Sequence, residues 1–159
     1  MPQAPHPSAT RELRLERVLD ASVENIWRCW MEPELLGQWF CPKPWYIDEI
    51  TLENRPGGRC NFTMHGPDGE VMPQRGQYLA LETEKRIVTT DAFVGDWMPS
   101  ENPPFMTAEI LLERDGEKTR YTAIARHWSD EARKQHEEMG FHEGWGICAD
   151  QLEALAKTL

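Results

Sequence analysis

The chain has 159 residues, 28% of them charged and 40% hydrophobic, with a formal net charge of −10. That length suits one domain burying about 70% of its unfolded surface. The acidic balance argues against nucleic acid, whose phosphates need clustered Lys and Arg, and against anionic membrane surfaces.

Residues 1–10, MPQAPHPSAT, carry three prolines and no apolar run, so they read as a flexible tail rather than a signal peptide. No later stretch approaches the ~18 apolar residues of a spanning helix, so membrane insertion is not expected. Cys29, Cys41, Cys60 and Cys148 form no CxxC pair, and free thiols in a cytoplasmic setting follow.

Residues 11–19 alternate apolar and charged, which predicts a half-buried strand with Leu13, Leu15 and Val18 inward. Ser22 is placed to cap a helix whose apolar side is Ile26, Trp27 and Trp30. Pro33 opens a second short helix ending near Trp39, and CPKPW then forces an extended path. Strands are predicted over 45–54, from Arg59 to the turn GPDGE, over 71–82 as one piece, and over 85–94. After the Pro-interrupted loop GDWMPSENPP, residues 105–114 and 118–128 form a hairpin through the turn at Gly116. Met106, Ala108, Ile110 and Leu112 share one face of its first arm. In the second arm Tyr121, Ala123, Ala125 and His127 face inward, and Arg120, Thr122 and Arg126 face solvent. From the cap at Ser129 to Leu159 the pattern reads as one long helix.

The segments WFCPKPW, RPGG, MHGPDGE, GQYLALE, TRYTAIARH and HEEMGFHEGWG…QLEALAK, in this order, carry a family likeness. The chain from about Arg11 onward resembles bacterial members of the heat-shock-protein ATPase activator homologue-like family, within the START-like (SRPBCC, birch-pollen-allergen-like) superfamily. The resemblance implies an α+β helix-grip fold over residues 11–159. In it a curved antiparallel sheet of about seven strands wraps a long C-terminal helix, with two short helices after the first strand. It also implies a deep cavity between sheet and helix. Superfamily members bind lipids, hormones or polyketides, and some are cyclases or aromatases; the family itself is named for a co-chaperone domain. Fold alone does not choose among these.

The spelling HEEMGFH superficially resembles the zinc-protease HExxH motif, which needs histidines at i and i+4. Here the spacing is six, so His136 and His142 point about 120° apart on a helix, and no metal is expected. On an unbroken wheel Glu138, Phe141, His142 and Trp145 share the apolar stripe, while His136 faces water. Glu138 and His142 are then either a polar pair at a cavity mouth or partly wet residues at the domain edge. Gly140 and Gly144 predict close approach by a neighbouring group, with a kink as the alternative. Cys41 stands where the resembling family often has glycine. Paired with His127 or His142 it would be a nucleophile–base candidate, and unpaired a small buried side chain. His65 is assigned to a tight turn and to solvent.

The leading expectation is a cavity that binds a small hydrophobic or aromatic, lipid-like molecule, with no chemistry evident. Phe62, Met64, Met106, Phe141 and Trp145 are its expected walls; Tyr121, His127, Glu138 and His142 are its polar anchors. The 95–105 loop is a candidate lip. A polyketide cyclase or aromatase using a cavity histidine is the alternative enzyme, and a co-chaperone-like protein-interaction module is the third reading. No glycine-rich phosphate loop or Cys/His cluster suggests a cofactor. Monomer and dimer are both compatible with the sequence.

Overall fold

The computed structural model describes residues 11–159, and the tail expected over 1–10 lies outside the described residues. The first alternating segment forms β1 (Glu12–Leu19), with Leu13, Leu15 and Leu19 buried. Val18, expected inward, is exposed, because strand parity puts it on the opposite face. Arg17 takes the inward position at the rim. Its guanidinium passes so close to Gly146 that a Cβ there would lie 2.7 Å from Nη2.

Ser22 caps α1 (Val23–Met31) by accepting from the Asn25 amide at 3.2 Å, and Ile26 is fully buried beneath it. Pro33 opens α2 (Pro33–Trp39), and the Trp39 indole donates to the Cys29 carbonyl at 2.9 Å, locking the two helices together. Both helices fall where expected.

The strands are β2 (Tyr46–Leu52), β3 (Cys60–His65), β4 (Val71–Gln74), β5 (Gln77–Glu82), β6 (Arg86–Thr90), β7 (Met106–Asp115) and β8 (Lys118–His127). They pair antiparallel in the orders β1-β8-β7-β6-β5 and β2-β3-β4. The single strand expected over 71–82 is cut at Arg75–Gly76: its first half pairs with β3 and its second with β6. Eight strands replace the expected seven for this reason. At the corner a Cβ on Gly76 would stand 2.9 Å from the Thr90 carbonyl oxygen, so only glycine turns there without a shift. Hydrogen bonds from the Cys60 amide to the Gly76 carbonyl and from the Tyr78 amide to the Gly58 carbonyl carry the sheet around the bend.

The expected long helix is two. Ser129 caps α3 (Asp130–Glu138), and α4 (Phe141–Ala156) follows. Between them Gly140 adopts φ 93°, a left-handed conformation that ends a helix and that side chains disfavour. Nothing lies within 4 Å of a Cβ built on Gly140, so its role is backbone conformation and not close packing. Phe141, Ala149, Leu152 and Ala156 of α4 are buried against the sheet side. Polar contacts tie it as well: Asp150 pairs with Arg17, Glu153 accepts from the Asp20 amide, and the Asn25 amide group caps its C-terminus at the carbonyls of Ala156 and Leu159. Thr122, expected in solvent, is buried, as is His136. No helix is long and apolar enough to cross a membrane among the described residues.

Candidate functional site

The break at Gly140 rotates α3 relative to α4 and invalidates a wheel drawn through both. His136 turns inward and meets His127 at the end of β8: its Nδ1 stands 2.9 Å from His127 Nε2. His127 Nδ1 is 2.8 Å from the Arg11 carbonyl oxygen. A carbonyl only accepts, so His127 carries a proton on Nδ1. In the neutral pair His127 Nε2 must then accept from His136 Nδ1–H, which leaves His136 Nε2 as a bare acceptor. Burial pushes the His136 imidazole down to about 4, and the neighbouring His127 acts in the same direction. The pair is therefore held uncharged on the His136 side near neutral pH.

Aromatic rings surround it. Phe105 stands 5.5 Å from His127 and 5.1 Å from His136, Phe141 lies 5.2 Å from His136, and Trp145 lies 5.9 Å from it, all centroid to centroid. Phe105 ends the 95–105 loop, and the Asp91 carboxylate fixes that end by accepting from the Phe105 and Met106 amides. His136 and Phe105 were not among the expected site residues. The signal for His136 was available only as the kink alternative at Gly140, and that for Phe105 only as its place at the end of the 95–105 loop, a candidate lip.

Of the expected walls, Phe141 is buried, while Phe62, Met64, Met106 and Trp145 pack against the core but remain half-buried. Of the expected anchors, Tyr121 and His127 are buried and inward. Glu138 and His142 are exposed and form no inward pair: Glu138 belongs to α3 and His142 to the first turn of α4, on either side of the break. His142 instead borders a surface concavity of about 520 Å3 with Glu12, Arg14, Asp130, Arg133 and Glu137, a charged hollow unlike the expected apolar cavity.

A second ring cluster sits under α2. Trp30 meets Trp39 at 5.0 Å and Phe40 at 6.0 Å, and Phe40 meets Phe62 at 4.9 Å. Burial pushes the Tyr121 hydroxyl's pKa upward; the Trp30 indole lies near enough to oppose the rise. The Trp30 N–H is nevertheless buried without a hydrogen-bond partner of good geometry. Cys41 has φ 113°, the backbone region that favours glycine, which gives a physical reason for glycine in the resembling family. Burial pushes its thiol up to about 12, the opposite of an activated nucleophile, and Gln151 of α4 holds its carbonyl at 2.8 Å.

A curved antiparallel sheet with two short helices after its first strand and a long C-terminal helix packed against it defines the START-like helix-grip class. Residues 20–157 match the family described as Activator of Hsp90 ATPase homolog 1-like protein, and the chain belongs to that family. It is similar to a Nitrosomonas europaea protein of known crystal structure at 45% identity, covering 94% of this chain and 96% of that one, with a TM-score of 0.91. An Arthrobacter aurescens protein solved by NMR is 25% identical, covers 96% and 89% of the two chains, and has a TM-score of 0.81. An Aeromonas hydrophila protein described as AHSA1-like shares the fold at 14% identity and a TM-score of 0.70, covering 92% of each chain. No functionally curated protein matches. Family and fold together suggest a ligand-binding or co-chaperone-like module.

Proposed function

We propose that the protein binds a small, predominantly apolar or aromatic molecule between the sheet and α4. Phe62, Met64, Met106, Phe141 and Trp145 are its walls, and Tyr121, His127 and His136 its polar anchors. One observation carries this reading: large apolar side chains on β3, β7 and α4 pack inward yet stay only half-buried. A completed core would bury them, since each fully buried large side chain contributes about 1.5–3 kcal/mol. The bare nitrogen of His136 would accept from a ligand hydroxyl. Glu138 and His142, both exposed, are left out of this site.

The cyclase alternative fits less well. It would use His127 or His142 as general acid or base, but His142 is exposed and outside this site, and both ring nitrogens of His127 are engaged, by the Arg11 carbonyl and by His136. Native mass spectrometry of protein purified from its own host, followed by thermal-shift titration with a panel of phenols, fatty alcohols and aromatic ketones, tests the proposal. A co-purifying small molecule, or saturable stabilisation that Trp145→Ala weakens at least about tenfold, is expected, since losing an aromatic wall that the ligand covers costs on the order of 1.4 kcal/mol or more. Clean spectra and no stabilisation by any member of the panel would sink the idea.

A further inference from the structure

We propose that Asp48, Glu49 and His65 form a binding site for a divalent first-row transition-metal ion such as zinc, on the outer face of β2 and β3. The three residues lie 17 positions apart at most, in no local motif, and the β2–β3 register brings them together. Tyr46 pairs with His65 and Asp48 with Thr63, so Asp48 and His65 are diagonal neighbours on one face. Their side chains meet, with His65 Nε2 2.6 Å from Asp48 Oδ1.

Glu49 is the member that an ordinary strand would not supply. Successive side chains alternate faces, so the residue after Asp48 should point the other way. The ladder slips between Asp48 and Thr51, and Glu49 takes φ 50° at that bulge. Both carboxylates consequently stand on the solvent side, and one ligand atom from each of the three residues lies within 4.8 Å of the others. The Tyr46 ring stacks on the imidazole at 4.9 Å and 12°, holding its plane on a rigid strand. His65 is at the end of β3 and half-buried, not in a turn in solvent as its sequence context suggested.

The donor set selects the ion. One imidazole nitrogen with two carboxylates suits zinc, cobalt, nickel or manganese, whereas calcium and magnesium take oxygen ligands and copper(I) favours sulfur. Three protein ligands leave room for water on the metal. On binding, the His65 proton resides on Nδ1 and Nε2 coordinates through its lone pair. The Nε2–Asp48 contact is then replaced by two bonds to one cation, and the two carboxylates offset its charge.

The test uses the full untagged chain, freed of metal, with zinc competed against a chelating dye at pH 7.5 and cobalt(II) followed by its visible absorption. Saturable binding of about one equivalent per chain is expected, unaffected by excess magnesium. His65→Ala and Glu49→Gln should each weaken it at least about tenfold, since ligand loss exceeds the 10–100-fold effect of outer-sphere changes. Glu49→Gln keeps the shape of an exposed side chain, so weakened binding there cannot be blamed on unfolding, which circular dichroism checks. Absence of saturable zinc binding, or binding that survives both substitutions, would overturn the proposal.

Discussion

His136 and His65 each place a ring nitrogen within hydrogen-bond distance of a neighbour, 2.9 Å from His127 and 2.6 Å from Asp48. The surroundings oppose one another. His136 is buried among Phe105, Phe141 and Trp145 with a second imidazole for a partner, where a proton is disfavoured by desolvation and by the neighbouring ring. His65 lies at the surface beside two carboxylates, where positive charge is welcome from a cation. The same side chain is a neutral acceptor in one setting and a candidate ligand in the other. Environment assigns the role, and residue type only permits it.

Acid separates the two most sharply. The unfolded histidine titrates near 6.5 and folded His136 near about 4, so between these values the unfolded chain holds more protons. Stability due to His136 is intact above pH 6.5, falls as the pH drops, and is lost by about pH 4. The shift corresponds to roughly 3 kcal/mol. Urea unfolding between pH 6.5 and 5 isolates this slope from Glu109. Burial opposes ionisation there, but hydrogen bonds from Arg86 and Arg126 outweigh it and lower its pKa into a more acidic range. His136→Phe should flatten the slope, and a slope unchanged from that of the parent chain would erase the contrast.

Gly140→Ala comes next. The added methyl meets nothing within 4 Å, so the expected loss of about 1–2 kcal/mol is a backbone cost at φ 93°. The same change should disturb the His127 and His136 ring resonances in NMR spectra while leaving His65 in place. A neutral outcome would mean the break does not depend on glycine. Smallest of all, Asp48→Asn should change the metal-free protein's stability by less than about 1 kcal/mol, as exposed pairs do. A loss well above that in urea unfolding would make the surface cluster structural.

These contrasts follow the limits of what sequence carries. The caps at Ser22 and Ser129, the proline at Pro33, the hairpin at Gly116 and the inward row Tyr121, Ala123, Ala125 and His127 were all legible, because each depends on neighbours a few residues away. So was the family, through motifs spread along the chain. The apolar phase within α4 survived as well, from Phe141 to Ala156. The error entered at Gly140, where a local periodicity was carried across a point at which the backbone changes direction. Glu138 was drawn onto the apolar stripe by that continuation and His136 was sent to solvent by it, whereas His142 lies in the first turn of α4 itself, at the edge of its stripe, and is exposed there.

By itself the sequence determined the order and type of most elements and most of the buried faces, since hydrophobic period and turn chemistry are written along the chain, while the helix-grip class followed from the resemblance its motifs carry. Tertiary structure alone decided the corner at Gly76, the meeting of His136 with His127, the arrival of Phe105, and the grouping of Asp48 and Glu49 with His65. Each of these depends on a backbone angle or a strand register that brings distant residues to one place. Neither quantity has a local signature strong enough to read in advance.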